Sequence, residues 1–358
     1  MTFDEARALF PALEHVAYLN AGSMGPLARP TIDAMAARLA SDLDAGRGGR
    51  PYFEEMLAVR ETVRAELAHV IGVPSANVAL TSSTTDGCNI VLAGLRLGAE
   101  DEVVTTDTEH FGLLGPLHAS AATVRVARVR ALPPERALET ILAEVGPKTR
   151  LLALSHVSWQ TGNLLPIEEL QDQTGLEILV DGAQSAGAIP VDAQRYDYYT
   201  VSAQKWLCGP DSTGALYVRD PEQLAVALPT YFSQAAYDDT GVFTPKEGAA
   251  RFDAGWVPTS SLAGLEAALG SVPHWSYHHA AEAAARCWAL LSERFRVVTA
   301  AGQATLVSWV ADGDAAETAA RLFQEGVVVR DMPGTGWLRA SCGWWTSDED
   351  VDRLLAAL

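Results

Sequence analysis

The stretch SAQKWLCGP, residues 202–210, places a single lysine, Lys205, between an apolar run and a Gly-Pro turn. The run that leads into it, YYTVSAQ, has the length of a β-strand. A lysine at a strand end ordinarily extends its amine into water, so a surface lysine is the ordinary interpretation. The alternative is an amine held in a pocket for covalent chemistry on a carbonyl group. The rest of the chain decides between the two.

Lys205 follows one of seven short apolar runs that alternate with helical stretches. These runs are NVALTSS, EVVTTDTEH, TVRVARV, RLLALSHVS, LEILVDGA, YYTVSAQ and TGALYVRD. Such alternation predicts a largely parallel sheet with crossover helices. After about residue 245 the pattern changes, and helical runs precede the strand-like ATLVSWVA, GVVVRDM and GWLRASCGW. We therefore expect an α/β protein with a large domain over 26–245, built on a mostly parallel seven-stranded sheet flanked by helices. A smaller C-terminal α/β domain is expected over 246–358, with the N-terminal segment 1–25 associated with it.

Composition limits the possible partners and the cellular location. The chain has 358 residues, 48% of them hydrophobic, and a net charge of −19. That charge repels phosphate backbones and argues against nucleic acid as a partner. No apolar run approaches the roughly 20 residues that span a bilayer, and the acidic N-terminus is unlike a signal peptide. We therefore expect a cytoplasmic protein that does not associate with membranes.

Cysteine and histidine usage argues against a metal site. The four cysteines are scattered without a CxxC pair, as in a reduced protein without structural zinc: Cys88, Cys208, Cys287 and Cys342. His274, His278 and His279 cluster in HWSYHH, but nothing nearby completes a ligand set. A solvated helix face is the simpler interpretation, and we expect no metal.

Polar residues stand at the ends of the apolar runs, where open α/β sheets bind ligands. Ser83, Thr84 and Thr85 lie between a strand and an apolar helix, so the free N–H groups of the helix could receive a phosphate. Ordinary N-capping is the alternative. His110 closes another run and could stack on a ring or relay a proton. It could equally be a hydrogen-bonded residue at a strand end.

Two further strand ends complete the pattern. Asp181 closes an apolar run, and Gln184 follows one turn later. A carboxylate in that position must be paired, serve a charged ligand or cap the next helix. The next run ends at Ser202, Gln204 and Lys205. Lys205 follows Asp181 by 24 residues. A phosphate cup, a stacking ring, an acid for a ring nitrogen and an amine for an aldehyde make a pyridoxal phosphate site. Lys205 is then the expected Schiff-base lysine.

The chain resembles the class V aminotransferase-like enzymes of pyridoxal phosphate fold type I. That family includes cysteine desulfurases, selenocysteine lyases, cyst(e)ine C–S lyases, isopenicillin N epimerase-like proteins and kynureninases. Eight motifs in the family's order carry the resemblance: YLNAGSMGPL, LTSSTTDGCN, DTEH, SHVSWQTGNLLPIEEL, DGAQSAG, SAQKWLCGP, RFDAGW and LRASCGWWTSDEDVDRL. The resemblance implies an α-amino acid substrate and a homodimer with its site near the subunit interface.

The resemblance also implies roles for individual residues. Lys205, His110 and Asp181 would be catalytic, with His110 stacked on the ring and Asp181 at the pyridine nitrogen. Arg339, in LRAS, would grip the substrate's α-carboxylate, although a surface strand arginine is the alternative. The remaining cofactor contacts would be Thr84, Thr85, Ser202 and Gln204 at the phosphate and Gln184 at the ring hydroxyl. Gln160, next to Trp159, and Asn20 would border the substrate pocket. Trp256 stands where desulfurases have a threonine that reaches a neighbouring subunit's phosphate.

One departure from the family pattern bears on the reaction. Desulfurases usually carry a persulfide-forming cysteine between the strands that correspond to VVVRD and LRAS, and here that segment is only MPGTG. We therefore expect β-elimination from a cysteine- or cystine-like substrate (or its selenium counterpart), which needs no persulfide acceptor. The alternatives are a cysteine desulfurase and an epimerase or aminotransferase on the same scaffold. A non-catalytic binding module is a remote alternative, since Lys205, Asp181 and His110 are all present.

Overall fold

The alternating apolar and helical runs form a layered α/β structure in the computed structural model, which describes residues 1–358. The strands are β1 Ala17–Tyr18, β2 Val78–Thr81, β3 Glu102–Thr106, β4 Thr123–Ala127, β5 Thr149–Ser155, β6 Glu177–Asp181, β7 Tyr198–Ser202, β8 Gly214–Val218, β9 Gln234–Tyr237, β10 Phe243–Pro245, β11 Leu306–Val310, β12 Val327–Val328, β13 Arg330–Met332 and β14 Trp337–Ser341. The α-helices are α1 Phe3–Arg7, α2 Arg29–Ala45, α3 Arg50–Val70, α4 Thr84–Leu95, α5 Phe111–Ala119, α6 Ala137–Leu142, α7 Ile167–Thr174, α8 Thr259–Gly270, α9 Ser276–Ser292, α10 Ala315–Gln324 and α11 Asp348–Ala357. None of the helices combines the length and the apolar composition that crossing a lipid bilayer requires.

All seven apolar runs pair into one sheet, in the order β2-β8-β7-β6-β5-β3-β4. Every pairing is parallel except the two made by β8, so the expected fold class and the seven-stranded, mostly parallel sheet are confirmed. The chain places β4 on one side of β3 and then β5 on the other. This reversal is a topological switch point, where doubly wound sheets open a crevice at the carboxyl ends of their strands.

Burial on both faces explains why the central strands are continuously apolar. In β5, Leu152 and Leu154 point into one hydrophobic core, and Leu151 and Ala153 point into the core on the opposite face. Side chains of a strand alternate between faces, and helices cover both faces here, so no polar position remains along the strand. Polar residues are thereby restricted to the strand ends.

A second, smaller sheet lies in the C-terminal part and has the order β11-β14-β13, with antiparallel pairings. The strand β1 pairs in parallel with β12, so the N-terminal segment contacts the C-terminal part of the chain. Leu262 and Leu265 of α8 pack into the core of the large sheet. The division into domains at residues 25/26 and 245/246 stays a prediction.

A buried ion cluster holds the RFDAGW segment against the start of β2. Asp253 accepts hydrogen bonds from Arg60 at 3.0 Å, from both Nη atoms of Arg64 at 2.8 Å and from the Leu80 N–H at 2.9 Å. Burial alone would raise the pKa of this carboxyl, but the hydrogen bonds and charge of Arg64 lower it overall. The cluster ties a segment far along the chain to the strand that leads into α4.

The charge of Asp253 is expected to be important for stability. Asp253→Asn should lower the free energy of unfolding by about 3–5 kcal/mol, because two buried guanidinium groups lose their counter-ion. The matched control is Glu54→Gln, which breaks the exposed ion pair with Arg50 and should cost less than about 1 kcal/mol. Urea denaturation followed by circular dichroism measures both. Equal midpoints for the Asp253 variant and the wild type would contradict the expectation.

Candidate active site

The N-terminus of α4 and the end of β7 form a polar cup. The Thr84 N–H donates to the Ser202 hydroxyl at 3.0 Å, and the two hydroxyl oxygens lie 3.2 Å apart. Thr85 lies against the first turn of α5, where a Cβ on Gly112 would come within 2.5 Å of the Thr85 hydroxyl. The cup therefore combines hydroxyl groups with the positive end of a helix dipole, a combination that suits a phosphate.

His110 caps α5 at the carboxyl end of β3. Its Nδ1 accepts the Gly112 N–H at 3.0 Å, so the neutral ring carries its proton on Nε2. The ring meets Trp159 edge-on, with centroids 5.0 Å apart. Burial, and secondly the charge of Lys205, lower the pKa of His110. A neutral imidazole held in this way presents a flat face to the crevice.

Asp181 and Gln184 lie on the turn after β6. The Asp181 carboxylate is 3% exposed, and its Oδ1 accepts the Ala183 N–H at 2.9 Å. The Gln184 amide donates to the Gly22 carbonyl at 2.9 Å and accepts from the Trp206 indole at 3.0 Å. Gln184 is thus fixed from both sides and keeps one amide hydrogen for another partner.

Lys205 is half-buried after β7, and its amine is poorly hydrated. Burial lowers the pKa of Lys205 from 10.5 to about 8, and the charges of Arg339 and Arg330 lower it further while Asp181 opposes them. A sizeable fraction of the amine is therefore neutral near physiological pH. Only the neutral form can attack a carbonyl or accept a proton.

Two arginines lie side by side on the hairpin of β13 and β14. Arg330 and Arg339 are register partners, and both donate to the Ser23 hydroxyl, at 3.0 and 3.3 Å. Arg339, 1% exposed, also donates to the Trp159 carbonyl at 2.8 Å. No carboxylate oxygen lies within 4.0 Å of either guanidinium. Burial, and then the charge of Arg330, lower the pKa of Arg339 to about 9. A buried and a half-buried cation without a counter-ion indicate a site for an anionic ligand.

The sequence analysis missed Arg330, although the chain carries a signal for it. Residues 333–336, PGTG, form the turn between β13 and β14. A hairpin centred on that turn pairs position 330 with position 339. Pairing the two strands about the turn would therefore have placed Arg330 beside Arg339.

The N-terminal segment passes directly through the site. A Cβ on Gly25 would lie 2.0 Å from the Lys205 carbonyl oxygen, and one on Gly22 would lie 2.8 Å from Arg339 Nη2. The Gly25 N–H donates to the Gln204 carbonyl at 2.8 Å. Asn20 is bridged to Ser341, two residues beyond Arg339 on the same strand. At Gly25 the close contact is with backbone, so only glycine permits that approach.

The polar atoms that remain without partners indicate what the crevice can hold. Buried polar side chains are rarely left unpaired in a protein. Several buried atoms of the expected site have no hydrogen-bond partner in the chain: Asn20 Oδ1, Trp159 Nε1, Gln160 Oε1, Gln204 Oε1 and Arg339 Nε. Together with the amine of Lys205, the carboxylate of Asp181 and the cup at Thr84, they fit pyridoxal phosphate bound beside an amino acid.

Gln160 and Trp256 occupy different surroundings. The Gln160 carbonyl accepts from the Ser308 hydroxyl at 2.6 Å, which ties the loop after β5 to the smaller sheet near Arg339. Trp256 is 60% exposed, stacks on Tyr231 and lines a cavity of about 470 Å³. Its expected contact with a neighbouring subunit stays a prediction.

Comparisons with known proteins bear on the family and the fold. The chain is 29% identical to an isopenicillin N epimerase of Streptomyces clavuligerus, over 99% of this chain and 97% of that protein. It is 27% identical to a probable cysteine desulfurase of Vibrio cholerae serotype O1, over 100% of this chain and 98% of that protein. The chain thus spans nearly the full length of both relatives.

Solved structures of a cystine C–S lyase named C-DES are similar along the whole chain. One is a mutant of C-DES with glycine covalently linked to its PLP cofactor, with a TM-score of 0.91, 29% identity and coverage of 98% of both chains. Another is C-DES in complex with its reaction product cysteine persulfide, with a TM-score of 0.89, 29% identity and coverage of 97% and 98%. The family described as aminotransferase class-V matches residues 18–354. The chain therefore belongs to the class V aminotransferase family of pyridoxal phosphate-dependent enzymes, as the motifs of its sequence predicted.

Proposed function

We propose that this enzyme holds pyridoxal phosphate at Lys205 and cleaves the C–S bond of cysteine- or cystine-like amino acids by β-elimination. The hairpin that bears both arginines carries the proposal. It joins β13 and β14 through residues 333–336 alone, a segment without cysteine. A four-residue turn has no room for a loop that could bring a thiol to the substrate. The sulfur must then leave the site with the product.

The four cysteines support the same conclusion. All are buried as free thiols. Burial raises the pKa of Cys88 and Cys208, and contact with the Cys287 thiol, together with burial, raises the pKa of Cys342. The thiolate is the form that attacks sulfur, so a protonated and inaccessible thiol is a poor persulfide acceptor. These thiols are better suited to packing than to sulfur relay.

The chain's own groups divide the work as follows. When bound, the cofactor supplies an electron sink. Thr84, Thr85, Ser202 and Gln204 would hold its phosphate, and His110 would cover its ring. Asp181 would pair with the ring nitrogen, and Gln184 would contact the ring hydroxyl. Arg339 orients the substrate's α-carboxylate, so that the Cα–H points at Lys205. Lys205 takes that proton, the electron pair moves between Cα and Cβ, and the Cβ–S bond breaks to release a thiolate.

The second arginine favours a substrate with two carboxylates. One α-carboxylate satisfies Arg339 and leaves the neighbouring Arg330 without an anion. Cystine carries a second carboxylate on the far side of its disulfide, and C-DES is a cystine C–S lyase. We therefore infer that cystine-like disulfides are preferred over cysteine, with Arg330 bound to the second carboxylate.

An epimerase is the second candidate, favoured by the full-length similarity to isopenicillin N epimerase. It would share the removal of the Cα proton by Lys205 but return a proton to the opposite face.

We also propose a cytoplasmic homodimer. The exposed rings of Trp256 and Tyr231 support a subunit contact, and four free thiols support a reducing compartment.

Lys205 is expected to be the only lysine that binds the cofactor covalently. Borohydride should fix pyridoxal phosphate to the wild type and to the control Lys148→Ala, whose lysine lies on the surface, but not to Lys205→Ala. The initial rate of fixation to the wild-type apoprotein should rise with pH up to about 8 and then level off, because only the neutral amine reacts. A peptide map that finds the label elsewhere would refute the assignment.

The reaction itself is tested by its products. Cystine should yield pyruvate, ammonia and persulfide sulfur. Replacing Cys88, Cys208, Cys287 or Cys342 by serine, one at a time, should leave turnover within a few-fold, apart from losses that follow from core packing. Deuterium exchange at Cα without pyruvate would support the epimerase instead. A cysteine variant that keeps cofactor and fold but loses all activity would point to a desulfurase.

The two arginines should differ in their effects. Arg339→Ala should raise KM for both cysteine and cystine by on the order of 30- to 100-fold, the equivalent of about 2–3 kcal/mol. Arg330→Ala should raise KM for cystine by about tenfold and change that for cysteine by less than about threefold. Steady-state kinetics with both substrates measures the difference. An equal effect of Arg330→Ala on both substrates would argue against a second carboxylate site.

A further inference from the structure

A buried carboxyl group fills the gap where β3 and β5 part. The pairing between the two strands runs from Glu102 to Val104 on β3, whereas β5 continues to Ser155. Beyond that pairing, Glu109 Oε2 accepts the Ser155 N–H at 2.9 Å and also contacts the Ser155 hydroxyl. Glu109 Oε1 lies 2.6 Å from the Thr106 hydroxyl. Glu109 is 3% exposed and has no cationic partner. Its side chain therefore takes the place of a strand neighbour at the switch point.

These contacts join two strand ends of the active site. Glu109 directly precedes His110, which lies over the crevice. Ser155 is the register partner of Asp181 in the pairing of β5 with β6, and the next N–H along the chain, that of His156, donates to the Asp181 carbonyl at 3.0 Å. One side chain thus links the segment that carries His110 to the strand beside Asp181.

We propose that Glu109 is a positioning residue that sets the distance between His110 and Asp181, and therefore the fit of the cofactor ring between them. The inference rests on the proposed binding of pyridoxal phosphate. Glu109 touches neither substrate nor cofactor and acts through His110 and Ser155. It is distinct from the groups to which the site chemistry has been assigned above.

The charge state of Glu109 suits this role. Burial raises its pKa to about 7, the Ser155 and Thr106 hydrogen bonds oppose that rise, and the negative charge of Asp181 adds to it. The titratable groups that face it are Asp181 on β6 and the Cys88 thiol on α4. The protonated carboxyl can donate to the Thr106 hydroxyl and still accept from Ser155. In that form Glu109 adds no negative charge beside Asp181.

Three variants and one control separate positioning from packing. Glu109→Gln keeps both contacts, because its amide oxygen can accept from Ser155 while its nitrogen donates to Thr106. Glu109→Ala removes both contacts, and Glu109→Asp is too short to reach Ser155. The control, Thr105→Val, replaces a buried hydroxyl without a partner on the same strand. The measurements are kcat and KM with cystine, the visible absorption of the bound cofactor, and the Kd of pyridoxal phosphate for the apoprotein from tryptophan fluorescence.

We expect the Gln variant and the Thr105 control to match the wild type within about threefold in every measurement. The Ala and Asp variants should lose at least about tenfold in kcat with little change in KM, shift the absorption maximum and weaken pyridoxal phosphate binding. If the Ala variant does not fold, the Asp variant decides. The proposal would be overturned if the Asp and Ala variants kept the wild-type absorption and Kd. It would also be overturned if the Gln variant were as impaired as the Asp variant. A wild-type protein without lyase activity would refute the proposed reaction, whereas the absorption and Kd would still report on Glu109.

Discussion

The removal of three cations from water around one carboxylate is the constraint on which the site depends. Asp181, Arg330 and Arg339 all lie close enough to Lys205 to affect its pKa, and burial lowers the pKa of Lys205 and Arg339. Desolvation of a cation costs several kcal/mol in a protein; Asp181 offsets part of this cost at Lys205, whereas neither arginine has a counter-ion. The chain as a whole carries a net charge of −19, so this positive crevice is a local exception. An anionic ligand is the remaining way to balance it.

The sheet topology brings these charges together. The crevice opens at the switch point between β3 and β5, and the ends of β3, β6 and β7 each contribute one group to it. His110, Asp181 and Lys205 each follow a different parallel strand, so their spacing is set by strand spacing and by the turns that follow. The arginines come from the smaller sheet, which faces the same edge. The relative placement of the two sheets therefore decides whether a bound carboxylate reaches the amine.

The sequence predicted much of this arrangement because the central strands are buried on both faces. All seven apolar runs became strands, since continuous apolar segments of that length between helices have few other solutions. Arg330 and Glu109 were missed for physical reasons. The role of Arg330 appears only once the hairpin register is known, and the burial of Glu109 depends on where β3 and β5 part. The exposure of Trp256 is likewise a property of tertiary packing that no local pattern in RFDAGW reveals.

The path of the N-terminal segment has a consequence for the order in which the molecule can be assembled during synthesis. The strand β1 leaves the ribosome well before its partner β12, which lies more than 300 residues later. Gly22 and Gly25 rest against Arg339 and Lys205, so this segment cannot take its final place until β12 and β14 have emerged. The large sheet uses strands from residues 78 to 218 only and can form earlier. Such long-range pairing is slow, and closure of the site is thus a late folding event that leaves Lys205 open to small aldehydes until β12 and β14 are in place.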